Sequence, residues 1–182
     1  MTVLALDACG RFSVAAIQRG GETLYATGTA GRGAVRSVYS SVDLSLERAG
    51  VKPAELNAIV LNTGPGSWTA TRIAVTYCAA LAFGAGVRVF GASGFDIGRR
   101  LDAAGVAFID QLGKTVAEGD AAPGFTVNLF ADVDAETYLE TRRAWLGEML
   151  KLGHEKFAAG EVGDPLELRT TYFQEFLTGA KR

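Results

Sequence analysis

The fold of this chain is decided by one stretch, Gly64-Pro65-Gly66-Ser67-Trp68-Thr69-Ala70-Thr71-Arg72-Ile73-Ala74-Val75. A short apolar run precedes it at residues 58–61, and residues 70–83 contain a single charge, so the predicted order is strand, glycine turn, helix. Glycines permit a tight turn, and Ser67 or Thr69 can cap the first helical amides. Such a helix start can bind phosphate, but a purely structural elbow uses the same residues. Both interpretations stay open on the local sequence, with the structural one favoured.

The composition is that of a globular protein and excludes several kinds of site. Of 182 residues, 48% are hydrophobic and the net charge is −2 with no basic tract, so we do not expect autonomous nucleic-acid binding. His154 is the only histidine, which excludes a two-histidine metal site, and no GxSxG motif accompanies it for a hydrolase triad. Cys9 and Cys78 form no CxxC pair. With no basic leader and no long uncharged run, we expect a cytoplasmic protein without membrane contact or a bound metal.

The first half of the chain predicts one α/β lobe. Residues 3–8, 13–18 and 23–29 are predicted as three consecutive antiparallel strands joined by tight turns. A helix follows at residues 34–49 and ends before Gly50. Next come a strand at 58–61, a helix at 70–83, a strand at 87–90 and a helix at 94–104. This order is typical of a ribonuclease-H-like lobe, the unit of actin-like folds, which we place at residues 1–104.

The second half has a weaker pattern and is predicted as a shortened C-terminal lobe at residues 105–182. Residues 106–112 fit either a helix or a strand. Residues 125–132 and 136–143 are predicted as two paired strands around a turn at 133–135. A helix is predicted at 145–157, although Gly147 and Gly153 weaken it. Residues 165–169 are predicted as extended, and residues 171–177 as a last helical turn.

The first two helices carry more apolar surface than one sheet can cover. On the first, apolar residues alternate spacings of four and three, the seam of a helix pair, at Val35, Tyr39, Val42 and Leu46. The second is apolar around its circumference, which predicts burial on every side. We expect part of that burial to come from another protein. The alternative is that the second lobe covers this helix.

The stretch that opens this section resembles the GPGS-F-T-G-x-R-x-G signature of the TsaB family, also called YeaZ. Leu4-Ala5-Leu6-Asp7 and Val89-Phe90-Gly91-Ala92-Ser93 resemble family segments too, and the likeness covers residues 3–98. The resemblance implies an actin-like fold of two lobes, the second truncated here, and a non-catalytic subunit of the tRNA threonylcarbamoyladenosine complex. In that family the two N-terminal helices pack on those of the transferase TsaD in a four-helix bundle. An ATPase subunit, TsaE, joins the heterodimer, which modifies adenosine 37 of tRNA.

The chain departs from the family in the loop after its first strand. Ala8-Cys9-Gly10-Arg11 lacks the family's Thr and Ser, and Ala70 and Ala74 replace usual glycines. We therefore expect no cofactor and no bound ATP, and at most a vestigial nucleotide site at Asp7, Gly64, Gly66 and Ser67. The other interpretation of Asp7 is a strand-end residue that caps a turn.

The sequence as a whole predicts a scaffold subunit, not an enzyme, that dimerises with a TsaD-type transferase. The predicted partners also include a TsaE-type ATPase and, for the isolated chain, a second copy; tRNA is contacted only indirectly. On this hypothesis Val42→Asp breaks the complex and leaves the fold intact. The alternative is a small actin-like phosphotransferase or ATPase that uses Asp7 and the glycine turn. The predicted partner interface consists of Val35, Tyr39, Val42, Leu46, Arg72, Thr76, Ala79 and Phe83.

Overall fold

A five-stranded mixed sheet forms the centre of the computed structural model, which describes residues 1–29, 33–118 and 122–171. The sheet order is β3-β2-β1-β4-β5. β1 is antiparallel to β2 and β2 to β3, whereas β1, β4 and β5 run parallel. This topology is the ribonuclease-H-like arrangement that the sequence predicts. The strands are β1 (Thr2–Asp7), β2 (Val14–Arg19), β3 (Glu22–Thr27), β4 (Ala58–Asn62) and β5 (Arg88–Ala92).

Helices cover both faces of this sheet. They are α1 (Ala34–Ala49), α2 (Trp68–Ala85), α3 (Gly94–Leu101) and α4 (Ala135–Ala158). Successive residues of a strand point to opposite faces, and β1 shows the consequence. Leu4 and Leu6 enter the core beneath α1 and α2, whereas Val3 and Ala5 enter the core beneath α4. All four side chains are fully buried, so the sheet has no face of its own exposed at this strand.

The ends of the helices follow from their capping residues. α1 has the predicted bounds because Gly50 adopts a left-handed conformation with φ 59° and ends the helix. α2 begins two residues earlier than predicted. Its N-cap is Ser67, whose Oγ accepts a hydrogen bond from the Ala70 N–H at 3.3 Å. α3 ends at Leu101, three residues short of the predicted bound.

The second half contains a small sheet and one long helix. The small sheet has the order β7-β6-β8, from β6 (Val106–Ile109), β7 (Thr115–Ala117) and β8 (Phe125–Asn128). The prediction of a second paired strand at 136–143 is wrong, because these residues form the first two turns of α4. Asp134, which we expected inside a turn, is the N-cap of α4 and accepts hydrogen bonds from the Glu136 and Thr137 amides at 3.0 and 2.9 Å. The helical turn predicted at 171–177 lies outside the described residues, apart from Thr171.

α4 packs back onto the larger sheet instead of remaining with the small one. Leu146 and Met149 are fully buried in the same core as Val3. Gly153 lets the helix approach closely, since a Cβ there would overlap the side chains of Val3 and Val60. The division predicted at residue 104 stays a prediction: it falls just after α3, but the core of the first half includes this later helix.

Residues 159–171 follow α4 as a strap along the edge of the larger sheet. The carbonyl of Gly163 accepts a hydrogen bond from the Val89 amide of β5 at 3.1 Å. Leu168 is buried in the core beneath α1 and α2. The strap contains a 3-10 turn at Pro165–Glu167 where the sequence predicts extended chain. In residues 1–29, 33–118 and 122–171, no helix combines the length and apolarity that crossing a membrane requires.

Candidate partner interface

A groove of about 330 Å³ lies between the exposed sides of α1 and α2. The two helices meet through Tyr39 and Tyr77, whose ring centroids are 4.4 Å apart in a tilted arrangement. Among the described residues that line the groove, apolar and small side chains dominate and one side chain is charged. The lining residues are Val35, Tyr39, Arg72, Ile73, Thr76, Tyr77 and Ala80.

α2 buries its small residues and exposes larger ones, the reverse of an ordinary surface helix. Its inward face consists mainly of Ala70, Ala74, Cys78 and Ala82, all at most 8% exposed. On the outward side, Phe83 is 80% exposed. We expected this helix, which is apolar all round, to be buried on every side, but its outward side is exposed in the chain alone. Large apolar side chains that cluster in solvent typically mark a surface that another protein covers.

Part of the predicted partner interface lies in this groove and part does not. Val35, Tyr39, Arg72 and Thr76 line it. Phe83 is exposed, and Ala79 is half-buried, but neither lines the groove.

Two of the predicted interface residues lie in the interior of the chain. Val42 is 0% and Leu46 7% exposed, and both belong to the core beneath α1 and α2. The prediction that they meet a partner is wrong, because their side of α1 packs on the sheet. For the same reason, we now expect Val42→Asp to destabilise the fold, instead of leaving it intact as the sequence predicts.

The sequence prediction missed three groove residues, namely Ile73, Tyr77 and Ala80. They are spaced by four and three, the same spacing that defined the seam on α1. The spacing of Tyr77 after Ile73 could therefore have indicated a second exposed seam on α2. This seam could not be recognised because every side of α2 is apolar, so no single stripe differs from the rest.

The two ends of the groove differ in charge. Near the start of α2, the Arg72 guanidinium lies over the Trp68 ring, 5.5 Å from its centroid. Further along, burial raises the pKa of the Tyr77 phenol, and the neighbouring Asp43 carboxylate raises it too. Tyr77 therefore stays protonated at neutral pH and keeps a hydrogen-bond donor beside Asp43.

The glycine turn is packed against its own chain. Gly64 has φ 115°, and a Cβ at this position would overlap the carbonyl oxygen of Thr171 in the strap. A Cβ at Gly66 would overlap the backbone carbonyl of Cys9. Both glycines are thus required by close contact between backbone segments, which is the structural interpretation of the turn.

Asp7 stands at the end of β1 and is only 2% exposed. Its Oδ1 accepts a hydrogen bond from the Cys9 amide at 2.9 Å, so it caps the turn that follows the strand. Burial raises the pKa of the Cys9 thiol, and the Asp7 carboxylate raises it too. The four residues of the predicted vestigial nucleotide site, Asp7, Gly64, Gly66 and Ser67, thus all make contacts within the chain.

A buried arginine lies in the same region and was not predicted. Arg142 of α4 is 2% exposed and donates a hydrogen bond to the Tyr138 hydroxyl at 3.1 Å. The Tyr138 hydroxyl in turn donates to the Leu129 carbonyl at 3.2 Å. A Cβ at Gly10 would overlap both the Tyr138 hydroxyl and that carbonyl. Side chains of α4 therefore fill the space in front of the loop that follows β1.

In the part of the chain that the structure describes, no group of three His, Cys, Asp or Glu side chains is close enough to hold a metal ion.

Comparison with known proteins identifies the fold. Residues 29–96 match the TsaD family model, described as tRNA N6-adenosine threonylcarbamoyltransferase. YeaZ from Pseudomonas aeruginosa is 22% identical with a TM-score of 0.65, over 94% of this chain and 99% of that one. The chain has the YeaZ fold. A second structure, described as an uncharacterized protein with similarity to peptidase YEAZ from the same organism, is 19% identical with a TM-score of 0.67 over the same shares.

The YeaZ likeness confirms, for the fold, the resemblance seen in the sequence. It extends across both halves of the chain, whereas the sequence resemblance ended near residue 98, and it supports the actin-like α/β class. The segment that matches the TsaD model contains α1, β4, α2 and β5, and so includes the whole groove. No curated protein sequence gives a significant match to the chain.

Proposed function

We propose that this chain is a TsaB-like, non-catalytic subunit that binds a TsaD-type threonylcarbamoyltransferase through the α1–α2 groove. In this role it supports modification of adenosine 37 in tRNA, with the tRNA held by other subunits. A TsaE-type ATPase is the proposed third component. The observation that carries the proposal is an apolar, exposed groove within the segment that matches the TsaD family model.

The family match supports a TsaD-type partner for this groove. The TsaD model and this chain share the segment with α1 and α2, so the partner is expected to present a helix pair of the same design. Two such pairs can pack face to face as four helices, each pair burying the apolar side chains that the other leaves exposed. Phe83 and Val35 are 80% and 54% exposed in the chain alone, and this packing would remove both from water.

The chemistry of the chain supports a role without catalysis. One histidine is available in the whole sequence, and burial raises the pKa of both cysteine thiols, which keeps them protonated. Asp7 is occupied by the Cys9 amide and buried. The ATPase alternative needs Asp7 to face a nucleotide, and no contact in the described chain favours that arrangement.

The glycine turn then has a mechanical role in the proposal. The Gly64 carbonyl accepts a hydrogen bond from the Gly94 amide at 2.6 Å, and the Ser67 amide donates to the Cys9 carbonyl at 2.7 Å. The start of α2 is thereby fixed to α3 on one side and to the β1–β2 loop on the other. A helix fixed in this way presents its outer side chains with a smaller ordering cost on binding.

The proposed interface is tested by a substitution that places a bulky charged side chain in the groove. Ala80→Arg places a long cation among apolar side chains, and its matched control is Ala144→Arg on α4, also an exposed helical alanine. Each variant is co-expressed with the TsaD-type subunit from the same source, and complex formation is measured by size-exclusion chromatography with light scattering.

We expect the Ala80→Arg chain to fold but to elute alone, and the Ala144→Arg chain to elute with the transferase. A complex that survives Ala80→Arg unchanged would refute the proposed interface. Depletion of the chain in cells should also reduce threonylcarbamoyladenosine in tRNA. Titration of the purified chain with Mg²⁺–ATP tests the alternative, since tight binding would favour an ATPase.

A further inference from the structure

Arg72 is the one charged side chain among the described residues that line the groove. Its neighbours there are apolar or carry hydroxyls, so they cannot neutralise it. It makes no ion pair with a carboxylate of the described residues. A partner helix laid in the groove would take this guanidinium out of water.

Arg72 also does not stabilise its own helix electrostatically. It lies in the second turn of α2, close to the end where the helix dipole is positive, and the first turn holds no acidic residue. α1 likewise begins without an acidic residue in its first turn and carries Arg36 there. Both helices start at the same end of the groove, which is therefore positive, whereas Asp43 lies further along. The positive potential where α1 and α2 begin is complementary to an anionic group on a partner.

Small residues define the shape of what fits. Thr76 and Ala80 follow Arg72 at successive turns of α2, and both are exposed. Their short side chains let the backbone of a second helix approach closely, as ridges of one helix enter the grooves of another. The contact of the Arg72 guanidinium with the Trp68 ring holds the charged group at the edge of the groove.

We propose that the groove accepts one helix of the TsaD-type partner and that a carboxylate on this helix pairs with Arg72. This inference rests on the proposed function and adds the partner's chemistry to it. The ion pair fixes the register of the two helix pairs, because a carboxylate displaced by one helical turn faces Thr76 instead. Arg72 is thus a specificity-determining residue of the interface.

The test measures the dissociation constant of the complex by calorimetry for Arg72→Glu, Arg72→Lys and Arg36→Glu. Arg36 is an exposed arginine at the same end of α1 and α2, but it does not line the groove. Arg36→Glu is therefore the control for a general loss of positive potential at this end. We expect Arg72→Glu to weaken binding by about tenfold to a hundredfold, the scale of a lost hydrogen-bonded charge pair. Arg72→Lys should recover part of this loss, and Arg36→Glu should change affinity by less than about threefold.

Charge-swap variants of the transferase complete the test. Reversing its helical Asp and Glu residues one at a time should reveal one Arg or Lys variant that restores binding to the Arg72→Glu chain. If no reversal restores binding, or if Arg36→Glu weakens the complex as much as Arg72→Glu, the specific pair is refuted.

The outcomes separate this inference from the proposed function. If Ala80→Arg abolishes the complex while Arg72→Glu leaves its affinity unchanged, the interface stands and the ion pair is wrong. If both variants bind normally, the proposed interface itself fails. If the isolated chain forms a dimer that Arg72→Glu dissociates and added Asp43→Arg restores, the occupant is a second copy, which overturns the pairing with the transferase.

Discussion

Val42→Asp tests whether the inner side of α1 is core and not interface. Val42 is fully buried beneath the helix, in the cluster that contains Leu4 and Ile17. Loss of the valine side chain from this position costs about 1.5–3 kcal/mol of unfolding free energy. A carboxyl group fully buried there has a pKa raised by up to about 3–5 units, and each unit corresponds to about 1.4 kcal/mol.

At pH 7 the carboxyl contributes about 4 kcal/mol, because a group whose pKa is raised to about 7 or above is largely protonated in the folded chain. The two contributions add to about 5–7 kcal/mol, and a whole domain is stable by about 5–15 kcal/mol. We therefore expect the Val42→Asp chain to lose most of its stability at pH 7. The carboxyl part of this penalty should shrink by about 1.4 kcal/mol per unit as pH falls, because the carboxylate of the unfolded chain becomes protonated. This part disappears below the unfolded-state pKa of about 3.9, and the cost of the lost valine burial remains.

Urea unfolding followed by circular dichroism measures these effects at pH 7 and pH 5. Two controls bracket the result. Val42→Ala should lower the unfolding free energy by about 2 kcal/mol, because it removes two buried methyl groups and leaves a small cavity. Phe83→Asp, at an 80% exposed position of α2, should stay within about 0.5 kcal/mol of the parent chain. An unfolding free energy of Val42→Asp within about 1 kcal/mol of the parent would show that this side of α1 is not core.

Three further predictions concern stability and reactivity. Gly64→Ala should lower the unfolding free energy by about 1–3 kcal/mol more than Gly20→Ala in urea titrations, because both have positive φ but only Gly64 abuts a backbone carbonyl. Hydrogen bonds from the Thr137 amide and hydroxyl lower the pKa of Asp134, so its capping stabilisation is present above about pH 4 and lost as pH falls through the lowered value; Asp134→Asn should remove this pH dependence. Burial raises the pKa of Cys78 to about 12 and also raises that of Cys9, so neither thiol should react with a disulfide reagent until urea unfolds the chain.

The first half of the fold could be predicted because its signals are local. Gly50 ends α1, and alternating spacing marks the strands, so the predicted elements agree with the structure to within three residues at each end. α4 was predicted only from residue 145. Its buried stripe from Tyr138 to Gly153 includes Arg142 and a glycine, residues that ordinarily argue against a buried helical face. The arginine is accommodated by Tyr138 and the glycine by the close approach to Val3, which no local pattern reveals.

The candidate interface divides along a similar line. Sequence pattern was enough to predict that α1 and α2 carry more apolar surface than one sheet covers, and that Gly64 and Gly66 make a tight turn between β4 and α2. It was not enough to predict which side of each helix meets the sheet; in the folded chain Val42 and Leu46 lie inside and Tyr39 outside. Periodicity reports which residues share a side of a helix, but an apolar side looks the same whether a sheet or another protein covers it. The direction in which α1 and α2 lie on the sheet is set by packing of both helices at once, and that packing exists only in the folded chain.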